Sequence, residues 1–294
     1  MQSAVVSRSA RLRALLNDHC VVMPGAFNAL TARAIERAGF EAIYLSGATL
    51  ANATLGVPDT GITTLSEAVH HATRCAAVTT IPLISDADTG FGGPDNMVRT
   101  VQDFERAGLS GLHIEDQEFP KRCGHLSGKS LVPRSEFEEK VSIAAGARRD
   151  RDFLIIARTD ARGVTGYDDA VSRAQAYIRA GADAIFPEAL QDKEEFARFA
   201  RDMTPAGTSR PPILLANMTE FGKTPCLTAD EFAAMGYRIV IFPVTLMRCA
   251  MKAVEQALHE LRSRGTQKNI LDRMQTRQEL YDLLGYEMET PKSV

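Results

Sequence analysis

Short apolar runs alternate with longer stretches of helical spacing along nearly the whole chain. After a first helix carrying Leu12, Leu15 and Leu16, an apolar strand covers residues 20–23. The pattern then predicts a helix up to Gly39, a strand over 41–47, a helix over 65–78 and a strand over 82–86. It continues with helix 96–107, strand 112–115, helix 135–148, strand 153–160, helix 167–180 and strand 184–189. Helix 194–202, strand 212–218, helix 229–235, strand 238–243 and a long helix over 246–262 follow, and residues 269–285 read as one further helix. The strands are apolar throughout rather than alternating, which indicates a parallel sheet covered on both faces. Gly39, Gly108, Gly181 and Gly236 each stand between a helix and the next strand, where a left-handed C-cap is expected. About eight such units without a break in composition predict a (β/α)8 TIM-type barrel. The expected division is an N-terminal helix over 1–19, a barrel over 20–262 and a C-terminal helical extension over 263–294, all one domain. An open doubly wound sheet would want a Gly-rich phosphate turn after an early strand, and the first strand leads to Pro24-Gly25-Ala26-Phe27-Asn28 instead.

Composition narrows the function classes. A net charge of −3 provides no basic field for nucleic acid. No apolar run reaches the roughly 20 residues that span a bilayer, and residues 1–18 lack the apolar core and cleavage site of a signal peptide. Five scattered cysteines fit a reducing cytoplasm better than a disulfide framework. The expectation is a cytoplasmic protein with no nucleic-acid or membrane partner.

Charged residues gather where the predicted strands end. Asp86 and Asp88 close the third strand and, at i and i+2, are expected to face the same side. Two such carboxylates repel unless a cation or a shared proton lies between them, and their hard oxygens suit Mg²⁺ or Mn²⁺. Glu115 and Asp116 close the fourth strand, Arg158 and Asp160 the fifth, and Glu188 the sixth. Asn217, Thr219 and Glu220 follow the seventh, and Arg248 the eighth. Lys121-Arg122-Cys123-Gly124-His125 sets a thiol among cations, an environment that favours thiolate. Guanidinium groups clamp carboxylates in bidentate fashion, so Arg158, Arg248 and Arg277 point to a small polycarboxylate. The loops after the last two strands lack the glycine clusters of a barrel phosphate site.

Asp86-Ala-Asp-Thr-Gly-Phe-Gly92, His113-Ile-Glu-Asp-Gln117 and Lys121-Arg-Cys-Gly-His125, in that order and spacing, resemble the isocitrate lyase and phosphoenolpyruvate mutase superfamily. Within it the likeness is greatest to the short methylisocitrate lyases and runs from about Val21 to about Tyr286. The resemblance implies substrate contacts from Ser46, Gly47, Ala48, Cys123, Gly124, Arg158, Glu188, Asn217, Thr219, Arg248 and Arg277. It implies Mg²⁺ on Asp86 and Asp88, with Asp59 and Glu115 in the outer shell and Tyr44 facing the metal. Cys123, Gly124 and His125 match the catalytic loop, Lys121 lies at its start, and a homotetramer is expected. Ala48 departs from the family, whose members carry a glycine there, and the flanks of the Cys123 loop look more like dimethylmalate lyases. The run Met274-Gln-Thr-Arg-Gln-Glu-Leu-Tyr281, which supplies Arg277, looks like methylisocitrate lyase.

The implied activity is Mg²⁺-dependent cleavage of 2-methylisocitrate to pyruvate and succinate, the reaction of propionate catabolism through the 2-methylcitrate cycle. Tyr44 or Glu115 would assist loss of the hydroxyl proton, and Cys123 would protonate the succinate carbanion. A 2,3-dimethylmalate lyase would need no Arg277 and a phosphonomutase no acid thiol. A non-catalytic barrel would be expected to have lost an acid or the thiol, and none is missing.

Overall fold

The computed structural model describes residues 6–122, 128–204, 211–222 and 224–286. Among them, eight parallel strands run in the order β1-β8-β7-β6-β5-β4-β3-β2. They are β1 (Val21–Pro24), β2 (Ile43–Leu45), β3 (Leu83–Asp86), β4 (Gly111–Glu115), β5 (Leu154–Thr159), β6 (Ala184–Pro187), β7 (Ile213–Asn217) and β8 (Ile239–Phe242). A parallel bridge between Gly25 and Tyr44 joins β1 to β2 and closes the barrel. Gly25 must be glycine, because a Cβ there would lie 2.1 Å from the Pro243 carbonyl oxygen.

Strand parity sends side chains into two separate cores. Met23, Tyr44, Ile84, Ile156, Phe186, Leu215 and Ile241 fill the barrel interior. Ile43, Leu83, Leu112, Ile155, Ile185, Leu214 and Val240 face the surrounding helices. Those helices include α2 (Ala29–Arg37), α4 (Leu65–Ala77), α5 (Pro94–Arg106), α6 (Arg134–Ala147) and α7 (Tyr167–Arg179), after a short α3 (Gly47–Thr49). Then come α8 (Lys193–Asp202), α9 (Ala229–Ala234) and α10 (Thr245–Arg264). The predicted capping glycines Gly39, Gly108, Gly181 and Gly236 all have positive φ.

The N-terminal helix α1 (Arg8–Asp18) packs Leu12 and Leu16, both buried, into the interior cluster. At roughly 1.5–3 kcal/mol for each buried leucine, this contact seals the N-terminal end of the barrel. Arg13 anchors the seal, donating to the Asp152 carbonyl and to Asp183.

One expectation is corrected at the C-terminus. Residues 269–285 do not form a single helix. A 3-10 segment (Lys268–Arg273) stops, and a new helix α11 (Arg277–Leu284) starts. Thr276 and Glu279 form a reciprocal capping box, which satisfies the first N–H groups of a helix and so begins one afresh.

Candidate active site

The parity that fills the interior with apolar side chains lower down places Asp86, His113, Glu115, Arg158, Glu188 and Asn217 at its top. Backbone bonds continue past the strands and hold these ends in register: Ala87 N donates to His113 O, Glu115 N to Asp88 O and Glu188 N to Thr159 O. Among the described residues, the non-glycine positions with positive φ, Asp88, Phe91, Ala189 and Phe221, all lie just beyond a strand on this face. Such conformations cost energy and concentrate at functional sites.

Asp86 and Asp88 come together, but not as i and i+2 on one strand. β3 ends at Asp86, and Asp88 has a φ of 47°. The left-handed turn folds the chain back, so that Asp88 N donates to Asp86 Oδ1 at 2.9 Å. Gly47 N donates to Asp86 Oδ2 at 3.2 Å, and a Cβ at Gly47 would sit 2.9 Å from that oxygen. Lys121, almost fully buried, pairs with Asp59 and with Asp88 Oδ1. Burial pushes the Asp88 carboxyl up to about 6, helped by the charge of Asp86. Burial acts the same way on Asp86, but His113, Lys121 and Arg158 outweigh it and hold that carboxyl below its usual range.

Arg158 carries the second half of the cluster. Its Nε and Nη2 donate to the two oxygens of Asp160 at 2.9 and 3.1 Å. Nη1 lies 3.3 Å from Glu115 Oε2, and Nη2 lies 3.8 Å from Glu188 Oε2. Asn217 Nδ2 donates to Glu188 Oε2 at 3.1 Å. Asp160 also takes Lys129 at 2.6 Å, and these two cations overcome its burial to bring it down to about 2. Burial holds the Glu115 carboxyl well above its ordinary value, and neither of its oxygens has a hydrogen-bond donor among the described residues. Tyr44 Oη lies 2.8 Å from His113 Nε2. Burial and the charge of Asp86 keep that phenol well above its normal range.

The sequence expectations are met unevenly in space. Tyr44, Gly47, Asp59, Asp86, Asp88, Glu115, Lys121, Arg158, Glu188 and Asn217 form one connected cluster, with Ser46 buried beside Gly47. Ala48 and Thr219 are half-buried at its edge. Arg248 stands at the rim, donating to the Glu220 carbonyl at 2.9 Å and lying 5.1 Å from the Phe221 ring centre. Arg277 is exposed at the start of α11, whose packing partner is α2. Among the described residues no bond joins it to the strand ends. Cys123, Gly124 and His125 lie outside the described residues. Asp116 points away from Glu115, accepting from Thr159 Oγ1, Asp160 N and Tyr177 Oη behind the barrel wall.

Sequence reasoning passed over His113, Gln117 and Lys129. His113 sits two residues before Glu115 and shares its face, a readable signal. Gln117 clamps both backbone groups of Arg122, donating to its carbonyl and accepting from its N–H, each at 2.9 Å. Nothing in the local pattern announces Lys129, because its partner Asp160 lies far along the chain.

The cluster fits the divalent cation that the family resemblance implies. Asp59, Asp86 and Asp88 have only Lys121 as a Lys or Arg ion-pair partner among the described residues, leaving negative charge in excess. The donors are all hard oxygens. Asp86 and Asp88 offer the one or two carboxylates that Mg²⁺ takes while keeping several waters. A cavity of about 740 Å³ opens onto Asp88 between Phe91, Phe119 and Lys140.

The raised Asp88 carboxyl gives a pH prediction for metal-free protein. Between its unfolded value of about 3.9 and its folded value of about 6, the folded state holds a proton that the unfolded chain has released. Its contribution to stability is therefore complete below about pH 4 and is lost as pH rises through about 6. Mg²⁺ needs the ionised carboxylate, so the rise in Tm on adding Mg²⁺ should be larger at about pH 7.5 than at about pH 5. Calorimetry at fixed free Mg²⁺ checks this, and an equal rise at both values would remove Asp88 from the ion's site.

Residues 12–262 match the phosphoenolpyruvate phosphomutase family. A 2-methylisocitrate lyase of Aeropyrum pernix is 53% identical over 266 residues, covering 90% of this chain and 83% of the relative. The crystal structure of a 2,3-dimethylmalate lyase, a PEP mutase/isocitrate lyase superfamily member, superposes with a TM-score of 0.88 at 38% identity, covering 96% and 92% of the two chains. A phosphonopyruvate hydrolase complexed with oxalate and Mg²⁺ superposes with a TM-score of 0.84 at 33% identity, covering 95% of each chain. With its barrel, its strand-end acids and a match across most of its length, this chain belongs to the phosphoenolpyruvate phosphomutase family.

Proposed function

We propose that the protein is a Mg²⁺-dependent carbon–carbon lyase that cleaves 2-methylisocitrate to pyruvate and succinate. The observation that carries this reading is the 53% identity to a 2-methylisocitrate lyase, against 38% to the dimethylmalate lyase and 33% to the phosphonopyruvate hydrolase. Asp86 and Asp88 would hold the cation, with Asp59 and Glu115 behind them; that the ion is Mg²⁺ draws support from the similar phosphonopyruvate hydrolase, which is complexed with oxalate and Mg²⁺. When bound, it would supply the positive charge that lowers the pKa of the substrate hydroxyl.

The chain's own groups do the rest. Arg158 and the backbone at Ser46 and Gly47 orient the substrate carboxylates. Glu115, its proton affinity raised by burial, takes the hydroxyl proton. As the new carbonyl of pyruvate forms, the carbon–carbon bond breaks and its electron pair moves into the succinate half as an aci-carboxylate. Hydrogen-bond donors in the pocket stabilise that charge. Cys123 then donates its proton to the carbanion carbon, and Glu115 returns the hydroxyl proton to the thiolate through solvent.

We read the assembly as a homotetramer working in a reducing cytoplasm. In support, α10 buries none of its residues within the protomer, and Met251, Val254, Leu258 and Leu261 are exposed along it. Cys20, Cys75, Cys226 and Cys249 are free. No helix among the described residues is long and apolar enough to cross a membrane. A panel of 2-methylisocitrate, isocitrate, 2,3-dimethylmalate and phosphonopyruvate, compared by kcat/KM with product analysis, tests the substrate. Methylisocitrate should lead, and a lead for dimethylmalate would transfer the assignment to the sister lyase.

A further inference from the structure

His113 is fully buried on β4. Its ring lies stacked on Tyr44 at 5.8 Å, with the edge of Phe186 at 5.4 Å. One ring nitrogen, Nε2, meets Tyr44 Oη at 2.8 Å and stands 3.7 Å from Asp86 Oδ1. The other, Nδ1, is buried and has no partner among the described residues.

A neutral imidazole carries one N–H, and the two placements differ in cost. On Nδ1 the N–H would be a buried donor without an acceptor, an expensive orphan. The lone pair of Nε2 would then face the Asp86 carboxylate. On Nε2 the N–H bonds to Tyr44 Oη and turns its positive end toward Asp86. Only an acceptor is then left unmatched at Nδ1.

We propose that His113 is a positioning residue, locked as the Nε2–H tautomer and donating to Tyr44 Oη, so that the tyrosine's own proton is directed at the bound substrate. A phenol is both donor and acceptor. With its oxygen occupied by His113, Tyr44 serves the reaction as a hydrogen-bond donor to an oxygen of the substrate, and Glu115 is left as the base. The part concerning substrate rests on the lyase reading above, whereas the tautomer stands on the geometry alone.

Two measurements test it. In ¹⁵N-labelled Mg²⁺-loaded protein, the ring signals of His113, assigned by their loss in His113→Gln, should show a protonated-type Nε2 and an unprotonated-type Nδ1 at neutral pH. The opposite pattern would overturn the proposal whatever the substrate proves to be. In steady-state kinetics, His113→Leu should lower kcat roughly 10- to 100-fold with KM little changed, since a donor engaged in the transition state acts on kcat. His113→Gln, which can still offer an N–H to Tyr44, should recover part of the loss. If His113 acts through Tyr44, His113→Leu should cost little more in a Tyr44→Phe background. Full additivity of the two losses would mean that His113 acts elsewhere. Should His113→Leu not fold, His113→Gln and the tautomer spectrum still decide the matter.

Discussion

Replacing Arg158 by alanine is expected to damage folding and turnover together. The guanidinium is shared among Asp160, Glu115 and Glu188, and its Cζ lies 5.1 Å from the Phe186 ring centre. Burial alone would lower its proton affinity, but these carboxylates more than reverse that. Breaking a buried charge pair by removing one partner costs about 3–5 kcal/mol, because the other charge is left uncompensated. Denaturant unfolding of the Mg²⁺-loaded protein should show a loss of that order. Arg158→Lys should lose less, keeping the charge but not the two-pronged grip on Asp160. On the lyase reading, kcat/KM for methylisocitrate should also fall by an amount matching about 2–5 kcal/mol. Near-normal stability and turnover in Arg158→Ala would mean that neither the acids nor the substrate depend on this residue.

Cys123→Ser should be as severe for turnover and nearly silent for folding. A general acid must hold its proton until the carbanion forms and then release it. A thiol near pKa 8.5 can do both, whereas a serine hydroxyl is far too weak an acid. Burial holds the Cys20 and Cys75 thiols up to about 11 and about 12, so neither offers a substitute. The two preceding residues are anchored independently, Lys121 by Asp59 and Asp88 and Arg122 by Gln117. The substitution should therefore leave Mg²⁺ affinity and Tm near wild type while kcat falls roughly 10²- to 10⁴-fold. Retention of most of kcat would leave the mechanism without its proton donor.

The barrel was legible because its signal is local. Apolar runs, helical spacing and capping glycines recur about eight times, and each follows from the chemistry of its own segment. The acids and Arg158 at the strand ends were legible for the same reason. Partnerships were not. That Asp160 would hold both Arg158 and Lys129, or that Asp116 would turn outward to Tyr177, depends on residues brought close only by closure of the barrel. His113 was readable only through its spacing from Glu115, since a lone histidine in an apolar strand otherwise reads as core. Asp88 reached its place beside Asp86 through a left-handed turn rather than through strand parity. The Thr276–Glu279 capping box was readable from spacing and marks the break in the last helix.

Packed side chains fill the barrel below the strand ends and α1 closes its far end with Leu12 and Leu16, so the barrel is a filled cup rather than a tunnel. Among the described residues, a ligand at the strand ends therefore has no route along the barrel axis. A reaction that turns one molecule into two would then have to release both products on the strand-end side.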